Sequence, residues 1–150
     1  MKRFLYITAL LALLTAIWGC TRHNGDIGPW FGTWHVEAIT VDGHPDGEYR
    51  GTLFMKFQGD VVNMTVVNDF EHTRADHWGR WSATSDELTL DYTYGDNITP
   101  AATGRYAPPA ISLLPGGVTR LRILKLTGSR LELRYENAEG EVIDYFLKKW

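Results

Sequence analysis

Three groups of residues in this sequence are of the types that do chemistry. Glu71 to His77 (EHTRADH) holds two imidazoles and Asp76. The spacing puts His72 and His77 on opposite faces of an extended strand, so a shared metal ion requires a bend between them. Asp42 to Gly51 (DGHPDGEYRG) carries Asp42, His44, Asp46 and Glu48, whose carboxylates suit a hard cation. The pattern matches no calcium loop, and solvated turn residues are the simpler account. Arg120, Arg122, Arg130 and Arg134, with Glu132 and Glu136, could bind an anion, but on adjacent antiparallel strands they are accounted for by cross-strand ion pairing. No Gly-x-Ser-x-Gly elbow, phosphate-cradling glycine loop or His-Glu-x-x-His helix occurs. We therefore expect no enzyme, no catalytic residue, no metal and no cofactor.

What remains is apolar chemistry. Phe57, Met64, Trp81, Leu90 and Tyr92 fall on alternating faces of candidate strands, and Tyr92, Tyr94 and Tyr106 lie at and beyond a strand end where a long loop begins. These side chains could line the mouth of a ligand cavity, with Phe57, Met64, Trp81, Leu90, Tyr92 and Tyr106 as its contacts.

Such residues need strands to position them. Trp30 to Val41 reads as the first, with Trp34, Val36, Ala38 and Thr40 on one face and His35, Glu37, Ile39 and Val41 on the other. His35 is then exposed opposite Trp34. After the turn-rich Asp42 to Gly51, Thr52 to Gln58 and Val61 to Val67 form a hairpin about Gly59-Asp60. Trp78 to Thr84 and Glu87 to Tyr94 follow, with Asn68 to Asp76 as a polar connection. Gly95 to Gly117 contains Pro100, Pro108, Pro109 and Pro115, which exclude a central strand or long helix, while Ile98, Ile111, Leu113 and Leu114 suit a lid. Val118 to Leu126, Arg130 to Glu136 and Glu141 to Lys149 complete eight strands. The change of phase from Leu121 and Ile123 to Leu124 and Leu126 predicts a bulge. Eight antiparallel strands in a meander predict an all-β, up-and-down barrel, since closure removes the exposed edges.

The first 30 residues supply an address. Lys2 and Arg3 precede the apolar run Phe4 to Trp18, too short for a comfortable bilayer span and immediately followed by Gly19 and Cys20, the pattern of a signal peptide. Ile17-Trp18-Gly19-Cys20 resembles the lipobox of bacterial lipoproteins. That resemblance implies a signal peptide over residues 1–19, cleavage before Cys20 and its lipidation, with residues 20–29 as anchor and tether and 30–150 as the barrel domain. Two or more acyl chains give stable anchoring to a membrane. Cys20 is the only cysteine, so no internal disulfide can form. The net charge of −3 becomes more negative once Lys2 and Arg3 are removed, which disfavours a nucleic-acid partner. Asp26 is the only carboxylate close behind Cys20, and we expect an outer-membrane anchor with the domain facing the periplasm.

Beyond the leader, Gly32-Thr33-Trp34, Gly79-Arg80-Trp81-Ser82-Ala83, Asp86-Glu87-Leu88-Thr89-Leu90 and the run from Ile123-Leu124-Lys125-Leu126 to Leu131-Glu132-Leu133 resemble the lipocalin-like lipoproteins of the Bacteroides group. The resemblance covers Trp30 to Trp150. It implies that Gly32 and Trp34 close one end of the barrel and that a basic side chain of the last strand packs over Trp34. Lys148, or its neighbour Lys149, matches that position. Two functions are compatible with the sequence. The first is a lipid-anchored barrel that binds a small apolar or amphiphilic molecule at its open end. The alternative is a solid barrel acting through its outer surface on a protein partner, in envelope assembly or as an inhibitor.

Overall fold

A computed structural model describes residues 28–68, 71–93 and 110–150. The proposed leader, Cys20, Tyr94 and Tyr106 lie outside these residues. Nine strands occur among them: β1 (Gly32–Val41), β2 (His44–Pro45), β3 (Leu53–Gln58), β4 (Val61–Asn68), β5 (Thr73–Ala83), β6 (Glu87–Asp91), β7 (Val118–Leu126), β8 (Arg130–Glu136) and β9 (Val142–Lys149). β2 is a two-residue spur on the end of β1. The other eight pair antiparallel with their neighbours in sequence, and β1 pairs with β9 from Trp34↔Lys149 to Val41↔Ile143. The meander closes into the expected eight-stranded barrel, with no free edge among its long strands.

Alternation sets the interior. Leu53, Met55 and Phe57 of β3, Val62 and Met64 of β4, Leu88 and Leu90 of β6, Leu131 and Leu133 of β8 and Ile143, Tyr145 and Leu147 of β9 are buried. The first strand departs from strict period two. The register against β9 shifts between Val36 and Ala38, so Trp34 and Val36 point inward, Glu37 and Ala38 are exposed, and Ile39 takes the next buried place. One inserted residue reverses the face of everything after it, which corrects the expectation that Ala38 and Thr40 share a face with Trp34.

The bulge also leaves backbone groups to satisfy. Pairing of β1 with β3 stops at His35↔Phe54, and β2 resumes only at Thr40. In the gap the Tyr49 hydroxyl donates to the Val36 carbonyl at 2.6 Å and accepts from the Leu53 amide at 3.2 Å, while the Asp46 amide donates to the Ile39 carbonyl at 2.9 Å. The turn-rich segment thus completes the hydrogen bonds that the sheet cannot. The bulge expected in β7 is present, between Ile123 and Lys125.

β5 begins at Thr73, inside the stretch expected to be a polar connection. Its residues from Thr73 to Asp76 pair in order with Asn68 to Thr65. Ion pairing across strands is found, with different partners from those foreseen. Arg134 meets Asp144 at 2.7 Å, Arg130 meets Glu37 at 2.9 Å, and Glu132 is taken by Lys125 at 3.2 Å.

Candidate functional site

The two ends of the barrel differ. At one, a 3-10 turn over Gly28–Trp30 leads the chain under the strands. Trp30 packs against Phe57 and Trp81 with ring centroids 5.2 and 5.3 Å away, and Phe57 and Trp81 are 5.0 Å apart. Trp34 is fully buried, and its indole N–H donates to the Trp30 carbonyl at 3.0 Å. Lys149 covers this indole: its Nζ lies 4.7 Å from the ring centroid and donates to the Pro29 carbonyl at 2.7 Å. Gly32, with φ of 114°, lets the chain turn into β1 beneath the Lys149 stem.

Lys148 is not the closing group. It is exposed and lies 3.9 Å from Glu37 on the outer face, because neighbouring residues of a strand point to opposite sides. We expect Lys149→Met to lower stability by about 1 kcal/mol through loss of the cation–π contact and the carbonyl hydrogen bond. Lys148→Met should stay within about 0.5 kcal/mol of the parent. Equal melting temperatures for the two variants would contradict the assignment.

The sealed end bears on the ligand residues. Phe57 and Trp81 belong to its aromatic plug, so the structure does not place them at an open mouth. Leu90 is paired beside Trp81 and is 1% exposed. Trp34, Val36, Met55, Val62, Leu121, Leu131 and Leu133 are fully buried, so this part of the barrel is filled by its own side chains.

Among the described residues, the filling at the other end is incomplete. Ile111 and Leu114 exchange backbone hydrogen bonds of 2.9 Å in a tight turn, both are buried, and the Tyr145 hydroxyl donates to the Ser112 carbonyl at 3.0 Å. This turn covers the β9 side. On the β4–β5 side, Met64↔His77 and Val66↔Ala75 share the inward face with Val62↔Gly79. Met64 is buried, Val66 and His77 are half-buried and Ala75 is exposed, so an inward-facing surface opens to solvent there. A groove of about 360 Å³ on the same rim is lined by Asp46, Glu48, Tyr49, Arg50, Thr52, Ser112 and Leu113.

Tyr92 lies beside this opening. A Cβ on Gly79 would sit 2.7 Å from the Asp91 carbonyl oxygen and 2.7 and 2.9 Å from Tyr92 ring carbons, so the phenol rests against the glycine. The ring is 2% exposed and its hydroxyl has no hydrogen-bond partner among the described residues. Trp81 Nε1, at the sealed end, is likewise unpartnered among the described residues. A buried polar group left unpaired costs about 1–3 kcal/mol and calls for an explanation. Sequence alternation identified Met64 and Tyr92 but missed His77, whose inward orientation follows only from its register with Met64. The metal alternatives are not assembled. His72 sits in a turn with φ of 52°, and no group of three or more His, Cys, Asp or Glu side chains is arranged to hold a metal ion among the described residues.

Burial sets the alkaline behaviour. The Tyr49 phenol is pushed up to about 12 by burial, partly offset by the hydrogen bond from the Leu53 amide, and Tyr92 and Tyr145 are also raised by burial. The folded state therefore holds these protons more tightly than the unfolded chain, whose tyrosines titrate near 10. Their contribution to stability is complete below pH 10 and is lost as pH rises through the folded values. The melting temperature should fall steadily from pH 10 to 12, and less steeply in Tyr49→Phe; a flat profile to pH 12 would contradict this.

A family model described as a lipocalin-like domain matches residues 12–142. Among solved structures, a lipocalin-like protein from Bacteroides uniformis superposes with a TM-score of 0.59 at 16% identity, covering 82% of this chain and 100% of that one. An uncharacterized protein from Bacteroides eggerthii gives a TM-score of 0.55 at 16% identity, covering 81% and 99%. At these identities the likeness shows the fold alone. No curated protein matches the sequence. With most of its length matched by the family model and its strands closed into the same barrel, this chain belongs to the lipocalin-like domain family.

Proposed function

We propose that this protein is a non-enzymatic, lipid-anchored binding protein of the cell envelope that holds one small amphiphilic molecule at the open end of its barrel. The observation that carries this reading is the Tyr92 hydroxyl, buried without a partner among the described residues beside an inward-facing surface open to solvent. A ligand with one polar group would pair with that hydroxyl and lay its apolar part along Met64 and Val66, with His77 at the rim. Because the lower barrel is filled, the ligand sits in the mouth and is small. Lipidation of Cys20 and an outer-membrane address on the periplasmic side rest on the leader sequence.

The test separates binding from stability. Tyr92→Phe removes an unpaired hydroxyl, so the free protein should melt at the same temperature or slightly higher. Binding of an anilinonaphthalene sulfonate, followed by its fluorescence, should weaken about tenfold, the equivalent of about 1.4 kcal/mol. Unchanged binding would exclude Tyr92 from the site.

A second reading has its own support. His35 stacks on Phe54 at 4.6 Å, and Trp150, 80% exposed, packs edge-on to both at 5.8 and 5.4 Å. This outer aromatic cluster, on a barrel with a filled lower half, suits a protein-contact surface.

A further inference from the structure

The outer wall carries a groove, separated from the mouth by the sheet itself. Lys56 of β3, Asn63 of β4 and Trp78 of β5 form one cross-strand row, Lys56↔Asn63 and Asn63↔Trp78, with Gln58↔Val61 in the next row. These five residues line a groove of about 350 Å³. Its floor is fixed. Asn63 is 4% exposed, its side-chain carbonyl accepts from the Thr65 hydroxyl at 2.8 Å, and its amide nitrogen donates to Asp76 at 3.4 Å. Asp76 is held in turn by Arg74 at 2.7 Å, which keeps its carboxyl below the usual range.

The groove's two ends are uncommitted. Trp30, Trp34, Trp81 and Trp150 each pack on another ring or under a cation, but Trp78, 40% exposed, has no such contact among the described residues. Arg74, Arg80, Arg120, Lys125, Arg130, Arg134 and Lys148 are in ion pairs, whereas Lys56, like Arg50, Arg122 and Lys149, is in none among the described residues, and of these four it alone lines the groove. Two strand spacings, about 10 Å, separate the Lys56 and Trp78 positions.

From this arrangement we infer that the groove binds an anionic saccharide of one or two rings. The C–H face of a sugar ring lies on the Trp78 indole, its hydroxyls exchange hydrogen bonds with the Gln58 and Asn63 amides, and its acidic group faces the Lys56 ammonium. A purely apolar ligand would cover the Gln58 amide without pairing it, at a cost that a polyhydroxylated ring avoids. The unpaired lysine selects the charged sugar over a neutral one.

Saturation-transfer NMR on the purified full-length protein in detergent tests this with three probes: a uronic acid disaccharide, a sulfated disaccharide and a neutral disaccharide. Transfer from at least one anionic sugar, at least tenfold tighter than the neutral one, is expected. Trp78→Ala should abolish it while leaving the melting temperature near that of the parent. Lys56→Gln should remove the preference for charge, and Arg122→Gln, which deletes an exposed charge on the far wall, should not. No transfer from either anionic sugar, or transfer that survives Trp78→Ala, would overturn the assignment. The site is independent of the mouth, so loss of amphiphile binding in Tyr92→Phe leaves this outcome unaffected.

Discussion

Replacing Trp34 with alanine is expected to destabilise the domain by about 3–5 kcal/mol, the range for removing a large aromatic side chain from a packed core. The residue is fully buried, and its loss also leaves the Trp30 carbonyl without the indole N–H and takes the ring from under the Lys149 ammonium, which keeps its bond to the Pro29 carbonyl. Trp30 would then lose one of its attachments to the barrel while keeping Phe57 and Trp81. A melting temperature lower by about 10 °C or more should follow. Trp34→Phe keeps most of the volume but not the indole N–H, and should recover about half of the loss. If Trp34→Ala melts within a few degrees of the parent, the sealed end does not hold the barrel together.

Gly79→Ala is expected to cost about 1–3 kcal/mol, at the upper end because one of the atoms it meets is backbone. The Asp91 carbonyl cannot turn away as a side chain can, and the Tyr92 ring must lift off the strand. The same substitution should therefore disturb the mouth as well as the melting temperature. Gly128→Ala, in the β7–β8 turn with open space around it, is the control and should be nearly neutral. Parent-like stability of Gly79→Ala would mean that the Tyr92 ring does not rest there.

The sequence made the barrel legible because most strands carry unbroken alternation. Leu53, Met55 and Phe57, or Leu131 and Leu133, have one face in the core and one in water, and no long-range information is needed to read them. The failures arise where that condition lapses. At Glu37 an extra residue shifts the phase, and the bulge shows only in the pairing with β9. From Thr73 to His77 the strand runs past the filled core, both faces see solvent, and the hydrophobic signal disappears although the hydrogen bonds continue.

The sites were less legible for the same reason. Whether Lys148 or Lys149 covers Trp34 depends on a register of one residue, which short alternating sequence cannot fix at a strand end. Alternation also cannot say which end of a strand faces the opening. Trp81 and Tyr92 share the inward face of paired strands, yet one lies in the aromatic plug and the other beside the mouth. The outer groove gave no signal at all, since Lys56, Asn63 and Trp78 are far apart in sequence and meet only through the β3–β4–β5 register.

Native mass spectrometry of the protein purified gently from its own cell envelope, followed by denaturing extraction, tests the binding role most directly. The account predicts one small amphiphilic molecule per chain, released on denaturation and present at lower occupancy in Tyr92→Phe. A folded protein that carries no small molecule, in parent and variant alike, would contradict it and leave the outer surface as the functional part of the barrel.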